Sequence, residues 1–103
     1  MVTVTNVETL LWNKIISLLK SDNWGEAYRY DGFDARVDFD FIILEKEGEE
    51  VLFGWDNWIE GEIQCSERSI KTIETLIGKT LKKGKPVSLK PDAVKLYRRM
   101  TIR

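Results

Sequence analysis

Residues 33–65 read FDARVDFDFIILEKEGEEVLFGWDNWIEGEIQC, and the spacing of their apolar positions decides the fold. Phe33, Ala35, Val37, Phe39, Phe41 and Ile43 stand two apart, alternating with Asp34, Arg36, Asp38, Asp40, Ile42 and Leu44. A period of two belongs to a strand, whose successive side chains point to opposite faces. Glu47-Gly48 and Asp56-Asn57 are turn dipeptides that separate this strand from two further apolar runs, Glu49 to Trp55 and Trp58 to Gln64. The expectation is a three-stranded antiparallel meander.

Two-residue loops fix a register that can be checked against side-chain chemistry, because a slip of one residue moves a whole strand to the wrong face. In that register Ile43, Leu52 and Gly61 form one row and Phe41, Gly54 and Ile59 the next, with Val37, Phe39 and Ile63 extending the same face. That face is nearly all apolar. It is expected to receive the helices, with Gly54 and Gly61 leaving room for close approach. The opposite face shows Leu44, Val51 and Glu62, then Ile42, Phe53 and Glu60, then Asp40, Trp55 and Trp58, with Arg36 and Asp38 continuing.

Upstream, Val7, Leu10, Leu11, Ile15, Leu18 and Leu19 recur at helical spacing, and Thr5 with Glu8 has the form of a capping box. A helix over about residues 6–20 follows, closed by Ser21 to Gly25. Downstream, Ser66 or Ser69 can cap a helix whose stripe is Ile70, Ile73, Leu76 and Ile77, ending near Gly78. Lys79 to Lys85 reads as a basic connector and Pro86 to Leu89 as extended chain. Pro91 suits the first position of a short final helix carrying Ala93, Val94, Leu96, Tyr97 and Met100. Val94, Leu96, Met100 and Ile102 also alternate as a strand would, interrupted by Arg98. The architecture expected is therefore α+β: an N-terminal helix, a three-stranded meander, and one or two C-terminal helices packed on one sheet face.

Composition narrows the function. At 103 residues and 12.0 kDa the chain is expected to form a single domain over residues 1–103. It has no histidine, which removes the Ser/His/Asp triad, the Cys/His pair and the ordinary neutral-pH general base. Its one cysteine, Cys65, can form neither an internal disulfide nor a thiolate cage and fits a reducing compartment, so a cytoplasmic location is expected. The apolar stretch Val7 to Leu19 is broken by Glu8, Asn13 and Lys14, which argues against a signal core or a membrane span. Asp38 and Asp40 share a strand face, with Asp34 and Glu60 in reach, but no nucleotide loop or metal motif accompanies them. Glu45 and Lys46 are adjacent and so point apart, unlike the Glu-x-Lys of a metal-dependent nuclease. No catalytic residue, metal or cofactor is assigned, and the chain is expected not to be an enzyme.

The net charge of −1 conceals a division. Residues 1–78 carry 16 acidic and 7 basic side chains, whereas residues 79–103 carry Asp92 against 9 lysines and arginines. The expected function is protein binding through the acidic and aromatic sheet face. Trp55 and Trp58 are its anchors, and Asp38, Asp40, Glu60 and Glu62 its charge partners for a basic protein. In size, charge layout and lack of catalytic residues the chain is similar to small acidic inhibitors of basic nucleases or toxins, the immunity and antitoxin class, a similarity of class only. The bland alternative is that the chain's own basic end crosses this face and neutralises Asp40, Glu60 and Glu62. A second function class is a nucleic-acid accessory protein using Lys82, Lys83, Lys85, Arg98 and Arg99. A third is a homo-oligomer that sets the acidic face of one copy on the basic tail of the next.

Overall fold

The computed structural model describes residues 1–29, 39–56, 60–87, 89–92 and 94–95. Along them run β1 (Val2–Val7), α1 (Thr9–Ser21), β2 (Gly25–Arg29), β3 (Phe39–Lys46), β4 (Glu49–Asp56), β5 (Glu60–Cys65) and α2 (Glu67–Ile77). The strands form one sheet in the order β1-β5-β4-β3-β2, antiparallel at every pairing. The expected three-stranded meander is thus the middle of a five-stranded sheet. The two missed strands are its borders.

β1 occupies residues that the helical reading partly claimed. Val-Thr-Val-Thr-Asn-Val is rich in β-branched residues and alternates, while Val4 and Val7 stand three apart and fit either period. Pairing with β5 settles the choice, and α1 begins only at Thr9. Glu8 is its N-cap without a side-chain cap bond, so the Thr5–Glu8 capping box does not form. Trp12, Ile15, Ile16 and Leu19 are the buried face of α1, while Leu10, part of the expected stripe, is 85% exposed. β2 was hidden because Gly-Glu-Ala-Tyr-Arg has no apolar alternation; pairing with β3, bulged between Glu26 and Tyr28, makes it a strand. α2 is capped at its start by Ser66, whose side chain accepts the Ser69 N–H, and at its end by Gly78 in the left-handed conformation at φ 72°.

The β3–β4 hairpin has the expected register, with Ile43 opposite Leu52, Phe41 opposite Gly54 and Asp40 opposite Trp55. Both turn residues, Glu47 and Gly48, have positive φ, as a two-residue turn matched to strand twist requires. The next hairpin departs from expectation. Asp56 pairs with Glu60 across residues 57–59, and Glu60 itself stands at φ 58°. The connection is therefore three residues rather than two, and Leu52 faces Gln64 instead of Gly61.

A displacement of three is odd, so it turns β5 over relative to β4. Ile63 now joins Ile42, Leu44, Val51 and Phe53 on the face that packs against Trp12, Ile15, Leu19, Ile70 and Ile73. The helices thus lie on the face expected to be open, and Phe41, Ile43 and Leu52 belong to the other one.

That other face is covered too, by the C-terminal stretch. Lys83 bridges Val4 of β1, the Thr5 N–H donates to Lys82 O at 3.3 Å, and the Gly84 N–H donates to Thr3 O at 2.9 Å. Leu89 is then fully buried with Phe41, Ile43 and Leu52, and Tyr28 and Val94 pack at the margin of this second core. Pro91, Asp92, Val94 and Lys95 are helical, with the Val94 N–H donating to Lys90 O at 2.9 Å. Leu89 and Val94 therefore pack on the face opposite α1 and α2, which corrects the expectation that the C-terminal helices share one face. Leu96, Tyr97 and Met100 lie outside the described residues. Among the described residues no helix is long and apolar enough to cross a membrane.

Candidate functional site

The inverted β5 redistributes the six residues assigned to the binding face. Asp40 and Trp55 are cross-strand partners on the helix side of the sheet. Glu60 and Glu62 project from the opposite side, together with Asp56, which pairs with Glu60. Asp38 and Trp58 lie outside the described residues. One end of the sheet still collects four of the relevant side chains, Asp40 and Trp55 on one side and Asp56 and Glu60 on the other.

Each has a distinct environment. The Trp55 indole N–H donates to Thr9 Oγ1 at 2.9 Å, and its half-buried ring packs against the helix-side core. It is a structural tie between β4 and the start of α1 that leaves part of its ring to solvent. Glu60 is exposed and sits in the left-handed region, which costs a non-glycine residue on the order of 1–3 kcal/mol and persists where the surroundings over-determine it.

Asp40 is half-buried, and loss of solvent pushes its carboxyl above the usual range, with the Arg29 charge opposing. Arg29 is itself engaged by Glu26, whose Oε1 lies 3.0 Å from Arg29 Nη2 and 3.1 Å from Lys20 Nζ. The Arg29 hydrogen bond is the main reason the Glu26 carboxyl lies below its usual range; partial burial opposes and Lys20 adds to it.

A raised folded value means that ionised Asp40 lowers stability above that value, and that the penalty disappears below the unfolded value near 3.8. Asp40→Asn is therefore expected to raise stability at pH 7 and to leave it unchanged near pH ~3. Urea unfolding of both proteins at the two pH values measures this. An equal gain at both would place the effect outside Asp40 ionisation.

Glu62 is the residue whose place the sequence reading misjudged most. It is 1% exposed. Its two carboxylate oxygens accept the Val87 N–H at 3.1 and 2.9 Å, and Oε1 also accepts the Leu89 N–H at 3.1 Å. Gln64, next along the same side of β5, donates from Nε2 to Leu89 O at 3.4 Å and to Thr3 Oγ1 at 3.1 Å. The chain's own C-terminal stretch does cross a carboxylate-bearing face, but main-chain N–H groups meet Glu62 there. The signal available in the sequence was the apolar pair Val87 and Leu89 two apart, although the stretch expected to be extended has a bend at Val87 and a turn at Leu89.

Lys82, Lys83 and Lys85 are exposed along the β1 border, Lys83 lying 3.5 Å from Glu67, while Arg98 and Arg99 lie outside the described residues. Cys65 is fully buried; burial chiefly, with the Glu49 charge adding and the N-terminus opposing, pushes its thiol up to about 12. As a thiol it behaves as a small core residue. Among the described residues no group of three or more carboxylate or thiol side chains is placed to hold a metal ion. No protein-family model matches this chain, and no curated protein or solved structure matches it either.

Proposed function

We propose that this compact α+β chain is a non-enzymatic module that binds a basic protein, in the manner of an inhibitor or immunity protein. The contact is the acidic end of the sheet. The observation that carries this reading is the register that brings Asp40, Asp56 and Glu60 to one strand end, with the exposed Glu60 held in a conformation unfavourable to its own side-chain type. The adjoining chain adds Asp31, Asp34, Asp38 and Trp58 in sequence. Clustered carboxylates speed encounter with a cationic partner and fix its orientation, and the accessible part of Trp55 offers apolar area beside them. An arriving cation favours ionised Asp40, so docking removes the penalty that burial imposes on it.

The test is the double charge reversal Asp56→Lys with Glu60→Lys, compared with wild type in capture from native lysate at low and high salt. A basic protein retained by wild type and lost by the folded variant supports the reading. Equal retention by both overturns the assigned surface. A second reading, polyanion binding, is favoured by the exposure of Lys82, Lys83 and Lys85 along one border. Its mark in the same capture is nucleic acid that leaves steeply as salt rises.

A further inference from the structure

We propose that the C-terminal stretch around Leu89 is a releasable internal ligand, and that the groove it fills accepts a basic segment bearing a leucine from the partner protein. This rests on the reading of that partner as a basic protein and names the part of it that is recognised.

The groove reads main chain. Glu62 accepts the N–H groups of Val87, in a bend, and of Leu89, in a turn just before the helical residues from Pro91, so that both converge on one carboxylate, and Gln64 donates to the carbonyl of Leu89. Hydrogen bonds of this kind are offered by any main chain that takes up the same bend, without regard to most of its side chains. Selectivity comes from a single socket, where Phe41, Ile43 and Leu52 enclose Leu89 at 0% exposure and Tyr28 stands edge-on to Phe41 at 6.1 Å. Val87, between the connector and the socket, is 52% exposed and contributes little burial. One fully buried side chain, the marginal packing of Val94 and a few main-chain bonds are a small anchor for a segment that spans the sheet.

Charge complements the shape. Glu45, Glu50, Asp56, Glu60 and Glu62 all project from the groove side of the sheet, by the same alternation that places Phe41, Ile43 and Leu52 there. The segment that fills it carries Lys85, Lys90 and Lys95 against Asp92. A buried carboxylate is costly unless its oxygens are bonded, so any occupant that covers Glu62 must bring donors to it, as the chain's own segment does.

The test uses the full chain with Leu89→Ala, which empties the socket, and a fluorescent peptide of residues 85–95, KPVSLKPDAVK, read by anisotropy. The peptide is expected to bind the folded variant at least about tenfold more tightly than wild type, where the tethered segment competes, and adding Glu62→Ala is expected to abolish binding. A folded Leu89→Ala protein that does not bind the peptide overturns the proposal. Should that variant not fold, amide exchange on wild type decides. The Val87 and Leu89 amides are expected to exchange at least about a hundredfold faster than those of Phe53 and Ile63, and equal rates overturn release. Only the peptide and this chain take part, so failure here is separable from failure of the charge-reversal capture.

Discussion

Glu62→Ala is expected to lower stability by about 3 kcal/mol, an unusually large effect for removing one surface-type side chain from a strand. Two main-chain N–H groups, those of Val87 and Leu89, lose their acceptor, and each buried donor left unsatisfied costs about 1–3 kcal/mol. Detachment of the C-terminal segment lets water meet those donors and so sets a ceiling on the loss, at the expense of exposing Leu89. The two responses are distinguishable in urea. A lower midpoint with unchanged slope means the segment stays in place and strained, whereas a reduced slope means the native state has already given up buried surface. Glu62→Gln keeps one acceptor oxygen and is expected to cost about half as much. A loss below about 0.5 kcal/mol for the alanine variant would contradict the role given to this carboxylate.

Gly61→Ala is expected to destabilise the protein by about 3 kcal/mol, against the usual sign of such a change. In a strand with ordinary backbone angles, replacing glycine by alanine restricts the unfolded chain and stabilises by roughly 0.4–1 kcal/mol. Here the added methyl would stand 2.8 Å from Trp12 Cγ and 2.9 Å from Val7 O. Neither neighbour can give way cheaply. Val7 O is main chain, and Trp12 is locked by an edge-on contact with Phe53, centroids 6.0 Å apart, and by donation from its indole N–H to Glu62 O at 3.3 Å. Urea or thermal unfolding measures the change, and a stabilised variant would show that α1 does not close on the sheet at this point.

The same glycine shows how far the sequence could be read. That Gly61 makes room for a helix was legible from its place inside a strand, and Trp12 fills that room. The face was not legible, because Glu-Gly-Glu-Ile-Gln-Cys alternates equally well in either orientation and only the length of the Asp56–Glu60 connection decides between them. Phe41 to Leu44 and Val51 to Phe53 gave the complementary warning. Four and three consecutive apolar residues signal a strand buried on both sides, a pattern inconsistent with an open face. β1 and β2 escaped notice because border strands take their structure from a neighbour as much as from their own pattern. Of the residues proposed to bind, Asp40 and Glu60 were legible as acidic strand positions. Asp56 passed for a turn residue, and Glu62 could be placed only once the destination of Val87 and Leu89 was known.

The two borders of the sheet are guarded unequally. β2 is short, bulged and carries the charges of Glu26 and Arg29, features that discourage another strand from adding to it. β1 is instead sealed by the chain itself, through the bonds from Thr5 to Lys82 and from Gly84 to Thr3. A substitution that loosens Lys82 to Gly84 therefore opens a template as well as a gap, since the vacated border offers its main-chain groups to any passing strand. The contacts of Lys82 to Gly84 thus withdraw from the solvent main-chain groups that a bare border would present for pairing.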